Sequence, residues 1–200
     1  MKIQIQTGDI DELIPAVDVP EGTRDHWSVK RVTITEAEAQ RANINCHGRP
    51  VRAGTITTLM RGGTVVMSDT HCEKRDHFAP VLNAKGIILI NGLGLGMVLN
   101  ACLLKPEVTR AYVVESSPQV ISLVGTHYRE KFGDRLTIHC ADAMTYKPDH
   151  NVTFGMVWHD IWDNICGDNL EQMKTLHRRY GNKAYWQGSW CRSECERSLR

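Results

Sequence analysis

A glycine-rich turn and a series of carboxylates carry the chemistry that this sequence suggests. Asn91-Gly92-Leu93-Gly94-Leu95-Gly96 directly follows the apolar run Gly86-Ile87-Ile88-Leu89-Ile90. Glycines between a buried strand and a helix let the backbone approach a ligand closely, at the edge where open α/β sheets bind their ligands. The spacing is G-x-G-x-G, and tight strand-to-helix packing without a ligand calls for the same residues, so the string alone decides little. Glu115 lies about 19 residues past Gly96, where a carboxylate can accept hydrogen bonds from both hydroxyls of a ribose. Asp142, within Ala141-Asp142-Ala143, ends the next apolar run, where it could hold an adenine amino group. Three consecutive strand ends thus point to a nucleoside ligand.

The elements that must position these residues alternate between strand and helix from Gly86 onward. Residues 86–90, 111–114, 136–138, 154–158 and 184–186 read as strands, the first nearly continuously apolar, as a strand buried on both faces requires. Helices are expected over 97–104, from Pro118 along the apolar face of Val120, Ile121 and Val124, and over 170–180. Residues 147–151 read as an exposed loop. This pattern predicts a Rossmann-like, doubly wound, mostly parallel α/β sheet over residues 86–200. Too few residues follow Gln187 for another complete βα unit, so the sheet is expected to be shortened at its C-terminal edge. Residues 1–85 read as a small β-rich region, with alternation at Met1–Gln6 and at Val32 and Ile34, and a hairpin over 55–68 turning at Gly62-Gly63. Thr35-Glu36-Ala37-Glu38 matches a capping box opening a short helix at about 36–42. Segments 69–80 and 159–168 are expected to be irregular and to supply acceptor contacts.

With these residues in place, the chain over about 86–190 resembles the class I S-adenosylmethionine-dependent methyltransferases. The resemblance implies S-adenosyl-L-methionine as cofactor, held by Asn91, Gly92, Leu93, Gly94, Gly96, Glu115, Ser116, Asp142, Ala143 and Asp160. Asp160-Ile161-Trp162-Asp163 has the Asp-x-x-Asp spacing of the spermidine-synthase-like branch, and Ser68-Asp69 and Gln187-Gly188-Ser189 echo that branch. Leu95 stands where aminopropyltransferases carry an aspartate, which favours methyl over aminopropyl transfer. Asp160 is then the first candidate for a base or orienting group, with His159 and Asp163 as further catalytic candidates. Asp163, Trp162 and Gln187 are the candidate substrate contacts, and Trp158, Trp186 and Trp190 offer further aromatic walls. Aminopropyl transfer and a non-transferase that binds or degrades the cofactor are the alternatives.

Composition restricts the partners. Hydrophobic residues make up 42% and charged residues 24% of the 200-residue chain, as in ordinary globular proteins. A net charge of +1 gives no large positive field, so a small-molecule or protein acceptor is expected and nucleic acid is not. No run is long enough to span a membrane and no secretory signal is evident, so a cytoplasmic location is expected. The seven cysteines are scattered and odd in number, which reads as buried thiols and not a disulfide framework. His71, Cys72, Asp76 and His77, and the pair Cys191 and Cys195, lack the paired spacing of a zinc motif, so no metal is expected. The β-rich region and the short sheet edge invite pairing with a second copy.

Overall fold

The structure, a computed structural model, describes residues 7–46 and 48–199; the alternation at Met1–Gln6 lies outside the described residues. Strands β5 (Gly86–Asn91), β6 (Val108–Glu115), β7 (Leu136–Cys140), β8 (Phe154–His159) and β9 (Ala184–Ser189) form one sheet. Its order is β7-β6-β5-β8-β9, and every pair is parallel. Side chains alternate between two apolar layers, as strands covered on both faces demand. Ile88, Ile90, Val113, Met156 and Trp158 pack toward α5 (Met97–Leu103) and α7 (Thr126–Phe132). Leu89, Val114, Phe154 and Val157 pack toward Leu176 and Tyr180 of α8 (Asn169–Tyr180). This is a doubly wound α/β sheet. From β5 the chain builds outward through β6 to β7, then crosses back to add β8 and β9 on the other side. The reversal leaves a crevice between the loops after β5 and β8, where such sheets take their ligands.

A second sheet of four antiparallel strands precedes it: β1 (Gly22–Arg24), β2 (Trp27–Ile34), β3 (Gly54–Arg61) and β4 (Thr64–Ser68), in sequence order. The β3–β4 hairpin turns at Gly62 and Gly63, whose φ values of 58° and 87° are the left-handed pair that a two-residue hairpin needs. Helix α2 (Glu36–Asn43) opens with the expected capping box, the Glu38 amide donating to Thr35 Oγ1 at 3.3 Å and the Thr35 amide to Glu38 Oε2 at 2.8 Å. Trp27, Val29 and Leu59 of this sheet lie in the same buried cluster as β5 and α5. The two sheets therefore share one core. Asp69, after β4, fastens the loops beside it by accepting from the amides of Thr57 at 2.7 Å and Val17 at 3.1 Å.

Other elements depart from the sequence reading. Segment 69–80 is not irregular: α3 (His71–Asp76) and α4 (Phe78–Asn83) fill most of it, and α1 (Thr7–Leu13) packs nearby. Each helix is under two turns long or little more, too short for an apolar period to register. The helix opening at α6 (Pro118–Val120) passes through a π-helical turn, Ile121–Gly125, before α7. After β9 the chain ends the sheet and forms α9 (Arg192–Arg197), with no further strand among the described residues. Cys72, Cys102, Cys191 and Cys195 are buried, whereas Cys140 is exposed. No helix among the described residues is long and apolar enough to cross a membrane.

Gly96 shows how tightly the layers meet. It precedes α5 with φ 71°, and a Cβ there would overlap the ring of Tyr128, which is fully buried and donates to the Leu95 carbonyl at 3.2 Å. Gly96→Ala is expected to destabilise the fold by about 2–4 kcal/mol, from left-handed strain plus overpacking. Denaturant unfolding measures it, and a loss under about 0.5 kcal/mol would contradict this account of the turn.

Candidate functional site

A cavity of about 270 Å³ lies at the C-terminal ends of β5, β6 and β8, at the strand-order reversal. Gly92 and Gly94 form part of its floor, and Glu115, Ser116, Asp142 and Ala143 form one wall. Asp160, Trp162 and Asp163 also line it, so the structure gathers nine of the candidate residues around one space. Glu115, Asp142 and Asp160 arrive by the same local cause: an apolar strand ends, and a carboxylate stands at or just past the sheet edge.

Glu115 accepts from the Leu93 amide at 2.9 Å through Oε2 and from the Ser117 amide at 2.8 Å through Oε1. It thus braces the glycine turn while keeping further lone pairs toward the cavity. Asp142 is exposed and accepts from the Met144 amide at 2.7 Å. The three turn glycines are all needed for contacts within the protein. A Cβ at Gly92 would strike the Asp160 carbonyl, one at Gly94 the Met67 sulfur, and one at Gly96 the Tyr128 ring. Met67, from β4, also receives the Leu95 amide at 3.3 Å and so covers part of the turn. Leu93 is buried and does not line the cavity, its amide being engaged by Glu115.

Several lining residues were not legible in the sequence. His77, between α3 and α4, is almost wholly buried and places Nε2 at 2.8 Å from Asp160 Oδ2. Its Nδ1 is 2.7 Å from the Glu73 carbonyl oxygen, which can only accept, so Nδ1 carries a proton. Nε2 facing a carboxylate oxygen then needs a second proton. The pair is an imidazolium held by a carboxylate. Burial opposes this charge, but the hydrogen bond and the negative charge of Asp160 outweigh it and raise the His77 pKa above the ordinary value. Glu73 also lines the cavity, and Trp27 and Arg61 reach it from the antiparallel sheet, while Trp190, expected as an aromatic wall, lines it too. Arg61 lies 5.3 Å over the Trp27 ring and pairs with Asp163, bridging the hairpin to the loop after β8. Trp162 is anchored by its indole N–H donating to Gln172 Oε1 at 2.7 Å. His77 and Arg61 lie in short or amphipathic segments, and only their three-dimensional neighbours mark them.

Other candidates do not line this cavity. His159 is fully buried, beside His177 and Tyr180 on the α8 side of the sheet, and burial pushes its pKa down to about 3. Strand alternation, which aims successive residues at opposite faces, places His159 away from Asp160. Asn91 is likewise buried and contacts His159 Nδ1 at 2.8 Å through its amide nitrogen. Gln187 donates to the His177 carbonyl at 3.0 Å, near the β9 edge. Gly96 serves the α5–α7 contact described above. Among the described residues no group of three or more His, Cys, Asp or Glu side chains is arranged to hold a metal ion.

Comparison with known proteins gives likenesses of fold. No family model matches the chain, and no curated protein sequence does. Among solved structures, spermidine synthase from Thermotoga maritima is 17% identical, with a TM-score of 0.42, over 79% of this chain and 52% of its own. The 23S rRNA methyltransferase ErmE is 13% identical, with a TM-score of 0.44, over 57% of this chain and 43% of its own. An S-adenosylmethionine-dependent methyltransferase from Clostridium acetobutylicum is 16% identical, with a TM-score of 0.39, over 53% of this chain and 41% of its own. The chain spans about half the length, or less, of these structures.

The state of His77 can be read directly. In the native protein both imidazole nitrogens are expected to remain protonated at pH 7 by nitrogen-15 NMR. Asp160→Asn removes the charge that most offsets burial, so the His77 pKa is expected to fall relative to the native protein. An unchanged His77 titration in the variant would refute the pairing.

Proposed function

We propose that the protein is an S-adenosylmethionine-dependent methyltransferase acting on a nitrogen or oxygen of a small molecule or protein. The observation that carries this reading is the convergence of Gly92 and Gly94, Glu115 and Asp142 on one cavity, with Asp160 and Trp162 across from them. Those residues fit the cofactor chemically. Glu115 would take the ribose hydroxyls, Asp142 the adenine amino group, and Ser116 would supply a further polar contact. Ala143 is buried at the cavity wall and, with Ile161, gives an apolar surface for a flat base. When bound, the cofactor supplies an electrophilic methyl group on a positively charged sulfur. The chain's own part is to orient an acceptor from the side of Trp27, Arg61 and Trp162, and to exclude water.

Aminopropyl transfer depends on Asp160 and Asp163 as a free carboxylate pair for an amine. Each already has a cationic partner, Asp160 in His77 and Asp163 in Arg61, which weakens that alternative. His159, buried on the other face, has no part in the proposed chemistry.

Calorimetry with S-adenosylmethionine, its decarboxylated form and S-adenosylhomocysteine tests the reading. The carboxylated forms are expected to bind, and Glu115→Gln to weaken them about 10- to 100-fold, the equivalent of roughly 1.5–3 kcal/mol for hydrogen bonds to a charged group. Preference for the decarboxylated compound would favour aminopropyl transfer, and absence of binding by all three would overturn the cofactor assignment.

A further inference from the structure

Glu73 is the carboxyl of the cavity that no interaction accounts for. It lies on α3, partly buried, and lines the same space as Gly92, Glu115 and Asp160. Its backbone carbonyl takes the His77 Nδ1 proton, but its carboxyl has no hydrogen bond or ion pair among the described residues. Asp160 is the opposite case. Its carboxylate is neutralised by an imidazolium at 2.8 Å, and a carboxylate so paired is a weak proton acceptor.

Resting on the methyltransferase reading above, we propose that Glu73, and not Asp160, is the proton acceptor of this cavity. The charges around it set the starting state. His77 and Asp160 face it from the end of α3 and the end of β8, and Arg49, paired with Asp76 at 2.6 Å, flanks it from the segment before β3. Lys74 turns away to Asp11 of α1 at 2.8 Å, with His71 beside that pair, and Arg75 is exposed. Burial pushes the Glu73 pKa up to about 7, with His77 and Arg49 pulling it down and Asp160 and Asp76 raising it.

A carboxyl poised there is partly protonated at neutral pH, so an added positive charge moves it toward the carboxylate. The base is then generated only when the donor is in place. In the transfer itself, an acceptor nitrogen or oxygen lone pair forms the new bond to the methyl carbon while the carbon–sulfur pair stays on sulfur. The proton lost by the acceptor passes to the Glu73 carboxylate.

Calorimetry of binding in buffers of different ionisation enthalpy counts the protons released and needs no acceptor. S-adenosylmethionine is expected to release a fraction of a proton more than S-adenosylhomocysteine at pH 7, the difference fading at higher pH, where the carboxyl is already ionised. The two compounds differ in the sulfonium charge, and the Glu73→Gln comparison separates a proton leaving this carboxyl from any the sulfonium moves elsewhere. Glu73→Gln is expected to abolish the difference while binding persists. The comparison in the native protein stands even if that variant fails to fold. Equal proton release by the two compounds, or a difference that survives in Glu73→Gln, overturns this inference alone. Failure of both compounds to bind overturns the cofactor reading and this inference with it.

Discussion

The hydrogen-bonded pair of His77 and Asp160 organises this molecule around its cavity. Its members are 83 residues apart in sequence, and His77 is almost wholly removed from water. Burying such a pair is costly unless its geometry is good and its remaining polar atoms are satisfied, and breaking it from one side leaves a buried charge. The Glu73 carbonyl takes the other imidazole proton, so the histidine is satisfied at both nitrogens. The pair therefore docks the α3–α4 segment onto the end of β8 in one orientation. Asp160 is held from its backbone as well, because its amide donates to the Asn91 carbonyl at 2.8 Å and its own carbonyl sits where only a glycine at position 92 leaves room.

The rest of the cavity follows from how two sheets share a core. The parallel sheet supplies the floor, where polar residues at the strand ends collect around the strand-order reversal. The antiparallel sheet supplies the cover. Met67 lies over the glycine turn, while Trp27 and Arg61 reach the mouth and connect to Asp163. Trp27 and Leu59 enter the same apolar cluster as β5 and α5, so the cover is packed onto the floor by hydrophobic burial. In the proposed reading, residues facing an acceptor thus come largely from a different layer than residues facing a nucleoside.

The glycine turn illustrates the limit of a motif. Its three glycines are required by backbone and side-chain contacts inside the protein, as well as by the closeness of the cavity. The amides of Leu93 and Leu95 are engaged by Glu115 and Met67. What distinguishes a binding site from close packing is the convergence of Glu115, Asp142 and the residues after β8 on one space, which no single motif expresses.

The sequence by itself determined the parallel strands, their alternation with helices, the hairpin at Gly62-Gly63 and the capping box at Thr35. These follow from local rules: doubly buried strands must be apolar, left-handed turns favour glycine, and a cap acts within four residues. For the same reason the positions of Glu115, Asp142 and Asp160 at strand ends were legible. The tertiary structure decided which neighbours those side chains have. His159 and Asp160 are adjacent in sequence, yet strand alternation buries one behind the sheet and aims the other into the cavity. Glu73 stood out in no pattern, and His77 only in a histidine and cysteine cluster without metal-site spacing, because α3 and α4 are too short to show a period and Asp160 lies far along the chain. Charge pairing and desolvation are properties of three-dimensional proximity. They alone left Asp160 neutralised and Glu73 without a partner among the described residues.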